Sequence, residues 1–258
     1  MTLEGGRLKT LAIDIGGSGT KAILLDPNGQ TLTERSRLET PDPATPEQVL
    51  ETISRVAEQQ GSYDRVSVGF PGVVKQGITK TAVNLDPSWI DFNLSAALET
   101  LLQRPVRVAN DADIQGLGAI QGQGVELVIT LGTGFGSALF LDGHLIPNLE
   151  LGHHPFRKGD TYEEQLGRSA LKDKGQHTWN RRLKKALAHL KQVFNYDHLY
   201  IGGGEAKKIN FELPEGVSMI SNMQGLLGGI ALWREVIRTE TPQTEQKGFP
   251  LQRLERQP

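Results

Sequence analysis

The sequence predicts an α/β fold of two related lobes around a cleft. Three observations carry that reading. A glycine-rich hairpin pattern occurs twice in matching form. Covered strands alternate with helices. An aspartate follows a strand at a position where α/β folds place cleft residues. At 258 residues, the chain is long enough for two lobes that share a cleft.

The elements follow in chain order. Lys9 to Ile15 and Thr20 to Asp26 are compact apolar runs, which predicts two strands of a covered sheet. Asp26-Pro27-Asn28-Gly29 supplies turn chemistry, and the alternation from Gln30 to Leu38 predicts a third, antiparallel strand. Pro41 to Pro46 is a linker. Pro46 opens a helix with Val49, Ile53, Val56 and Ala57 on one face, which stops at Gly61. Arg65 to Phe70 is a buried strand ending in Pro71-Gly72. A helix over 94–102 leads into a strand over 106–109, and 114–120 continues as helix despite Gly116 and Gly118. Glu126 to Leu131 and Ser137 to Leu141 are strands around a second glycine loop, and Asp142-Gly143 makes a hairpin turn. Helices are expected over 162–172 and 178–194. The stripe of Trp179, Leu183, Leu187, Leu190 and Phe194 in the second reads as core packing. Leu199 to Ile201 is a strand, Gly202-Gly203-Gly204 opens a short helix, and 225–236 forms a last apolar helix. This divides the chain into a lobe over 1–111, a larger lobe over 112–238 and a polar, unstructured tail over 239–258. The helix near 225–237 is expected to pack back on the first lobe.

Composition narrows the function. The net charge of −2 gives no general argument for nucleic acid or membrane. The absence of cysteine excludes disulfides, thiol catalysis and thiolate-bound zinc. No stretch reaches the roughly 20 apolar residues that span a bilayer, and the N-terminus lacks the apolar core of a signal peptide. The expected location is the cytoplasm.

Leu11 to Asp26 lies beside Leu127 to Asp142 without a gap. Leu11, Ile13, Gly16, Ala22, Leu25 and Asp26 recur as Leu127, Ile129, Gly132, Ala138, Leu141 and Asp142. Each copy reads strand, glycine loop, strand. The chemistry suits phosphate, because glycine lets successive backbone N–H groups approach an anion. The first loop offers Gly16, Gly17, Ser18, Gly19 and Thr20, and the second offers Gly132, Thr133, Gly134 and Gly136, with Ser137 as a further hydroxyl. Asp14 cannot bind phosphate directly but suits a Mg²⁺ that bridges phosphate oxygens, through water. Lys21 either supplies a cation or is solvated. A glycine-rich hairpin alone is equally a tight turn; two matching, donor-rich loops favour phosphate.

Those residues resemble the phosphate motifs of the actin-like sugar kinase superfamily: Asp14-Ile-Gly-Gly-Ser-Gly-Thr-Lys21 the first, Leu131-Gly-Thr-Gly-Phe-Gly136 the second. Asn110-Asp-Ala-Asp113, Glu150-Leu-Gly-His153 and Gly202-Gly-Gly204 resemble the ROK family, and the likeness runs from about Leu11 to Trp233. Within it the polyphosphate glucokinase branch is matched by Asn84-Leu-Asp-Pro-Ser-Trp89, Pro147-Asn-Leu-Glu-Leu-Gly-His153 and the basic segment after Gly175. The resemblance implies a two-lobed ribonuclease-H-like fold with a central cleft, a homodimer, and transfer of a phosphoryl group from polyphosphate or ATP, with Mg²⁺, to a hexose, glucose first. Asp111 is then the base, with Asp113 its rival. Asn110, Glu150, His153 and Glu163 contact the sugar, the register against Glu164 staying open. Gly72 and Asn84 line the cleft. Gly202, Gly203 and Gly204 either carry adenine or ribose or form a tight turn. Many ROK members carry a cysteine-rich zinc motif; here zinc is not expected, and the adjacent His153 and His154 cannot easily face one ion. Trp89 reads as core before sugar-stacking.

Arg168 to Lys191 contains eight basic residues, with Asp173 the only acid. It is either a track for polyphosphate or the solvated face of a helix. Three further readings stand beside the glucokinase one. They are an ATP-dependent kinase for another hexose or amino sugar, a sugar-sensing regulator, and an actin-like assembly protein. The first strand begins near Lys9, which leaves no room before it for a DNA-binding domain.

Overall fold

The computed structural model describes residues 8–82, 85–220 and 222–234. The expected contact at Asn84 and the expected tail over 239–258 lie outside the described residues.

The first half of the chain builds a five-stranded sheet from β1 (Thr10–Gly16), β2 (Gly19–Leu25), β3 (Ser36–Leu38), β4 (Arg65–Phe70) and, after the small hairpin of β5 (Val74–Lys75) and β6 (Ile78–Thr79), β7 (Val106–Asn110). Its order is β3-β2-β1-β4-β7, with β1–β2–β3 antiparallel and β4 and β7 parallel to β1. Helices α1 (Pro46–Glu58) and α2 (Leu94–Leu102) cover one face. Helix α1 is capped by the Thr45 side chain with Pro46 at its first position, the geometry that satisfies orphan N–H groups there. Leu11, Ile13 and Ile15 pack against Val49, Ile53 and Val56. Trp89 belongs to this core: it is fully buried, 5.1 Å from Phe70 between ring centres, and its indole N–H donates to the Ala44 carbonyl.

Helix α3 (Asp111–Ala119) leads to a second five-stranded sheet. Its strands are β8 (Val125–Leu131), β9 (Phe135–Leu141), β10 (His144–Ile146), β13 (His198–Gly202) and β14 (Val217–Met219). The order β10-β9-β8-β13-β14 repeats that of the first sheet, with the same antiparallel and parallel pairings. Between β10 and β13 lie the small pair β11 (Pro155–Arg157) and β12 (Asp160–Thr161), then α4 (Tyr162–Leu166) and α5 (Arg168–Phe194). The stripe of α5 from Trp179 to Leu190 fills a core of its own with Leu127, Ile129 and Leu131.

Helix α6 (Asn222–Ala231) returns to the first sheet. Gly229 accepts a hydrogen bond at its carbonyl from the Ser67 hydroxyl, which in turn accepts from the Trp233 indole N–H at 2.8 Å. The Trp233 ring lies under Arg65 and Arg107, at 5.0 and 4.3 Å. Glycine in this helix serves close approach: a Cβ on Gly228 would stand 1.7 Å from the Ile114 carbonyl oxygen of α3.

Several elements differ from expectation. The third strand is confined to Ser36–Leu38, preceded by a single bridge between Leu25 and Thr31. Helix α3 starts at Asp111 rather than near 114, because Asn110 caps it. The helices expected at 162–172 and 178–194 divide elsewhere. Gly167 ends α4, and α5 runs from Arg168 with a break at Gly175 (φ 74°, ψ 159°), a conformation open to glycine. Gly202-Gly203-Gly204 does not open a helix of any length; only a single 3₁₀ turn follows, Ala206–Lys208.

The internal repeat is present, but its second strands are out of phase. Ile13 stands opposite Ala22, whereas Ile129 stands opposite Ser137. The second hairpin is one residue shorter, so residues identical in the gap-free alignment turn to opposite faces. Leu25 is fully buried and its counterpart Leu141 is exposed.

Candidate active site

Asp111 is placed by its neighbours. β7 ends at Asn110, whose side-chain oxygen accepts from the N–H groups of Ala112 (2.8 Å) and Asp113 (3.4 Å). Its amide nitrogen donates to the Gly72 carbonyl at 3.1 Å. Asn110 is therefore a helix cap and a strut to the Pro71-Gly72 turn, and Gly72 itself has no room for a Cβ beside Thr81. Asp111 becomes the first residue of α3, with one carboxylate oxygen accepting from the Ala112 N–H at 2.8 Å. Burial in the cleft pushes its carboxyl up to about 7, the negative charge of Asp14 adds to the shift, the Ala112 N–H opposes it, and Glu150 adds again. Asp113, the rival carboxylate, is buried inside α3 at 3 % exposure.

Asp14 lies on β1 opposite Lys21 of β2, and the two side chains form an ion pair at 2.8 Å. Both line a cleft of about 610 Å³, together with Arg35, Gln115, Asp111 and Gly202–Gly204. Gly203 adopts φ +87°, and a Cβ there would stand 2.3 Å from the Leu131 carbonyl oxygen, so at Gly203 the wall is bare backbone by steric necessity. The first glycine loop is braced from outside. The Arg37 guanidinium donates to the Ser18 carbonyl at 2.8 Å, leaving no room for a Cβ on Gly19, and the Thr40 hydroxyl donates to the Gly16 carbonyl. Gly17 and Ser18 form the two-residue turn of that hairpin.

Two expected hydroxyl donors are not at the loops. Thr20 is fully buried. Ser137 donates to the Leu149 carbonyl at 2.6 Å and accepts from the Leu151 N–H at 3.2 Å. It brackets Glu150 instead, and the phase shift of β9 is the reason.

Glu150, His153 and Glu163 form a second group. Glu150 Oε2 and His153 Nε2 are 3.5 Å apart. Burial raises the Glu150 carboxyl above its ordinary range, His153 opposes and Glu163 adds. Glu163 accepts from the Phe135 N–H at 3.2 Å and packs over Gly134, tying this group to the second glycine loop. Glu164 is spent on a capping box with Thr161. Of the two glutamates, Glu163 is the one whose charge acts on Glu150 and whose side chain meets the second glycine loop.

Thr133, in the second loop, is reached by Arg168, which also pairs with Glu205 at 2.7 Å and donates its N–H to the Gly132 carbonyl at 2.9 Å. Gly132 and Gly136 flank that loop; a Cβ on Gly136 would meet the Thr130 hydroxyl at 2.3 Å. None of the basic residues of α5, Arg168 included, is among those lining the cleft of about 610 Å³. Lys184 lies over Phe211, Lys191 lies over Tyr196, and Arg182 donates to the Gln165 carbonyl. Arg35 and Gln115 are cleft residues that the sequence did not signal, since Arg35 sits in an ordinary polar stretch and Gln115 is a lone polar residue between Ile114 and Gly116 of α3.

Among the described residues no cluster of three His, Asp or Glu side chains is arranged around a metal. The donor set nevertheless fits Mg²⁺, which binds through one or two carboxylates while phosphates and water complete its shell. Asp14 already faces a cation and raises Asp111 by its charge. No described helix is long and apolar enough to cross a membrane.

Two sheets of one topology, with a glycine hairpin from each and a carboxylate at the start of α3, define an α/β fold shared with sugar kinases. The chain belongs to the ROK family, whose profile matches residues 10–168. It is 36% identical over 219 residues to the polyphosphate glucokinase of Mycobacterium leprae, covering 81% of this chain and 67% of the relative. It is 35% identical over 213 residues to that of Mycobacterium tuberculosis (strain CDC 1551 / Oshkosh), covering 78% and 80%. Among solved structures, the inorganic polyphosphate/ATP-glucomannokinase of Arthrobacter sp. strain KM superposes with a TM-score of 0.79 at 35% identity, covering 86% of this chain and 97% of that one. A ROK family glucokinase from Streptomyces griseus, in complex with glucose and AMPPNP, shares the fold with a TM-score of 0.71 at 20% identity, covering 87% and 97%.

Proposed function

We propose that this chain phosphorylates glucose at its 6-hydroxyl, taking the phosphoryl group from polyphosphate or ATP, with Asp111 as general base. The observation that carries the reading is the Asp111 carboxyl, raised to about 7 by burial in the cleft that it lines together with Asp14 and the Gly202–Gly204 backbone. A base with a pKa near the working pH removes a hydroxyl proton most effectively. The kinase relatives support the same reading.

The sugar is held by Glu150, His153 and Glu163: Glu150 is near enough for its charge to act on Asp111, His153 stands 3.5 Å from Glu150, and Glu163 is anchored on the Phe135 N–H. Asn110 and Gly72 keep the carboxylate aimed. As the sugar oxygen forms its bond to the terminal phosphorus, its proton passes to Asp111. The phosphorus–oxygen bond to the donor breaks, releasing ADP or a polyphosphate shorter by one unit. Backbone N–H groups of the two glycine loops stabilise charge on the transferring group. Mg²⁺, when bound, neutralises phosphate charge, and Asp14 is the residue that would hold it. The two sheets act as lobes that close over the sugar and exclude water.

The test is phosphorylation of glucose by purified protein with Mg²⁺, comparing polyphosphate with ATP, and with Asp111→Asn as control. Turnover with either donor, lost in the control, is expected. No turnover with either donor on glucose, but turnover on another hexose or an amino sugar, would replace the substrate. Turnover that survives Asp111→Asn would remove the base.

A further inference from the structure

By sequence the α5 strip is either a polyanion track or a solvated helix face, and its cations are not among the residues lining the cleft. The cation that does line it, beside Lys21, is Arg35. Arg35 is exposed, and no ion pair among the described residues involves it. Arg37, two residues on, pairs with Lys21 across β2 and β3, and its guanidinium reaches round to the Ser18 carbonyl of the first glycine loop. Arg35 immediately precedes β3, so it enters the cleft at the same sheet edge that Arg37 braces. Lys21 is paired with Asp14, and Arg35 is the cleft-lining cation without a carboxylate partner among the described residues. The cleft is also lined by the Gly202–Gly204 backbone at the end of β13, in the other sheet, which offers an anion no side-chain cation.

We propose that Arg35, supported by Arg37, is the contact for the phosphates of an inorganic polyphosphate donor beyond the one transferred. Resting on the kinase reading above, it assigns the two donors different walls of one cleft. The phosphoryl group lies between the glycine loops in both cases. The adenosine of ATP leaves over Gly202–Gly204, where flat groups meet bare backbone, while a polyphosphate chain leaves over Arg35. A polyanion of many equal charges gains from one unmatched guanidinium at the exit, since charge-assisted hydrogen bonds to phosphate are the strong ones. An adenosine gains nothing there.

Steady-state kinetics of the full chain with glucose and Mg²⁺ test this, using long-chain polyphosphate and ATP in parallel. Arg35→Gln is expected to raise the KM for polyphosphate about tenfold, the loss typical of a charge-assisted hydrogen bond. The KM for ATP should change less than about twofold, because an exposed charge without a contact contributes little. Arg35→Lys should recover part of the loss, and the dependence of the polyphosphate KM on salt should flatten in Arg35→Gln. The rival track is tested by Lys172→Gln with Lys174→Gln. An unchanged polyphosphate KM in Arg35→Gln, with wild-type turnover intact, overturns the proposal and leaves the kinase reading standing. So does an equal rise for both donors, or a rise confined to the α5 variant. A wild-type protein that uses ATP but not polyphosphate overturns the donor assignment and this proposal together.

Discussion

Asp14 and Lys21 face one another across the first hairpin, their side chains 2.8 Å apart. The pair links the glycine loop to the base, because the Asp14 charge is the second contributor, after burial, to the raised Asp111 carboxyl. A base works deprotonated, so kcat/KM is expected to fall as pH drops through about 7, the value for the free enzyme. Lys21→Met leaves the Asp14 charge uncompensated, which favours protonated Asp111. The acidic limb of the profile should then move to higher pH. A limb that stays in place in Lys21→Met would show that Asp111 does not feel the pair.

The same raised carboxyl costs stability. Asp111 is ordinarily ionised above 3.8, but in the folded chain it holds its proton up to about 7. Between those values folding takes up a proton, so stability falls as pH rises through the window and is flat above it. Asp111→Asn removes this dependence. Discounted for solvent screening of a carboxyl that lines an open cleft, the gain is on the order of 1 kcal/mol, or about 2–4 °C in Tm at this size. Thermal unfolding should show Asp111→Asn more stable than wild type at pH 8 and equal to it at pH 4. Loss of turnover should accompany the gain, as expected where a functional site holds a strained charge. Equal melting temperatures at pH 8 would mean that Asp111 is not raised.

The first hairpin and most strands of both sheets were legible because their apolar runs end in glycines, which leaves few alternatives. Asp111 was legible through its motif, although its helix was placed three residues late: Asn110 supplies a cap that apolar periodicity does not report. The phase of β9 was not legible, since sequence identity at Ala22 and Ala138 survives a one-residue change in hairpin length that reverses the facing of the strand. Arg35 was hidden for a different reason. It immediately precedes β3, and its place at the cleft follows from the pairing of β3 with β2, a relationship between segments rather than a pattern within one.

That phase shift makes Ser137 testable. Its hydroxyl holds Leu149 and Leu151, the residues on either side of Glu150. Ser137→Ala leaves a buried N–H without its acceptor, at about 1–3 kcal/mol. With Glu150 less firmly held, the KM for glucose should rise about tenfold while kcat changes less, the signature of lost ground-state and transition-state binding together. A fall in kcat with KM unchanged would place Ser137 in the transfer step instead.

Gly228 tests whether α6 positions the base. At an exposed helical site Gly→Ala gains about 1 kcal/mol. Here the added Cβ would lie 1.7 Å from the Ile114 carbonyl oxygen, within the helix that begins with Asp111. Backbone cannot swing aside as a side chain can, so the clash exceeds the propensity gain, and overpacking of this kind costs about 1–3 kcal/mol or more. Gly228→Ala is therefore expected to lower the Tm by several degrees, roughly 2–4 °C per kcal/mol, and to reduce kcat by displacing α3. Gly229→Ala is the contrast. Its Cβ would meet the Ala12 methyl at 3.3 Å, a contact that a shift of a few tenths of an ångström relieves, and its effect should be smaller on both counts. A Gly228→Ala protein that melts at or above wild type would mean that α6 can move without carrying α3 with it.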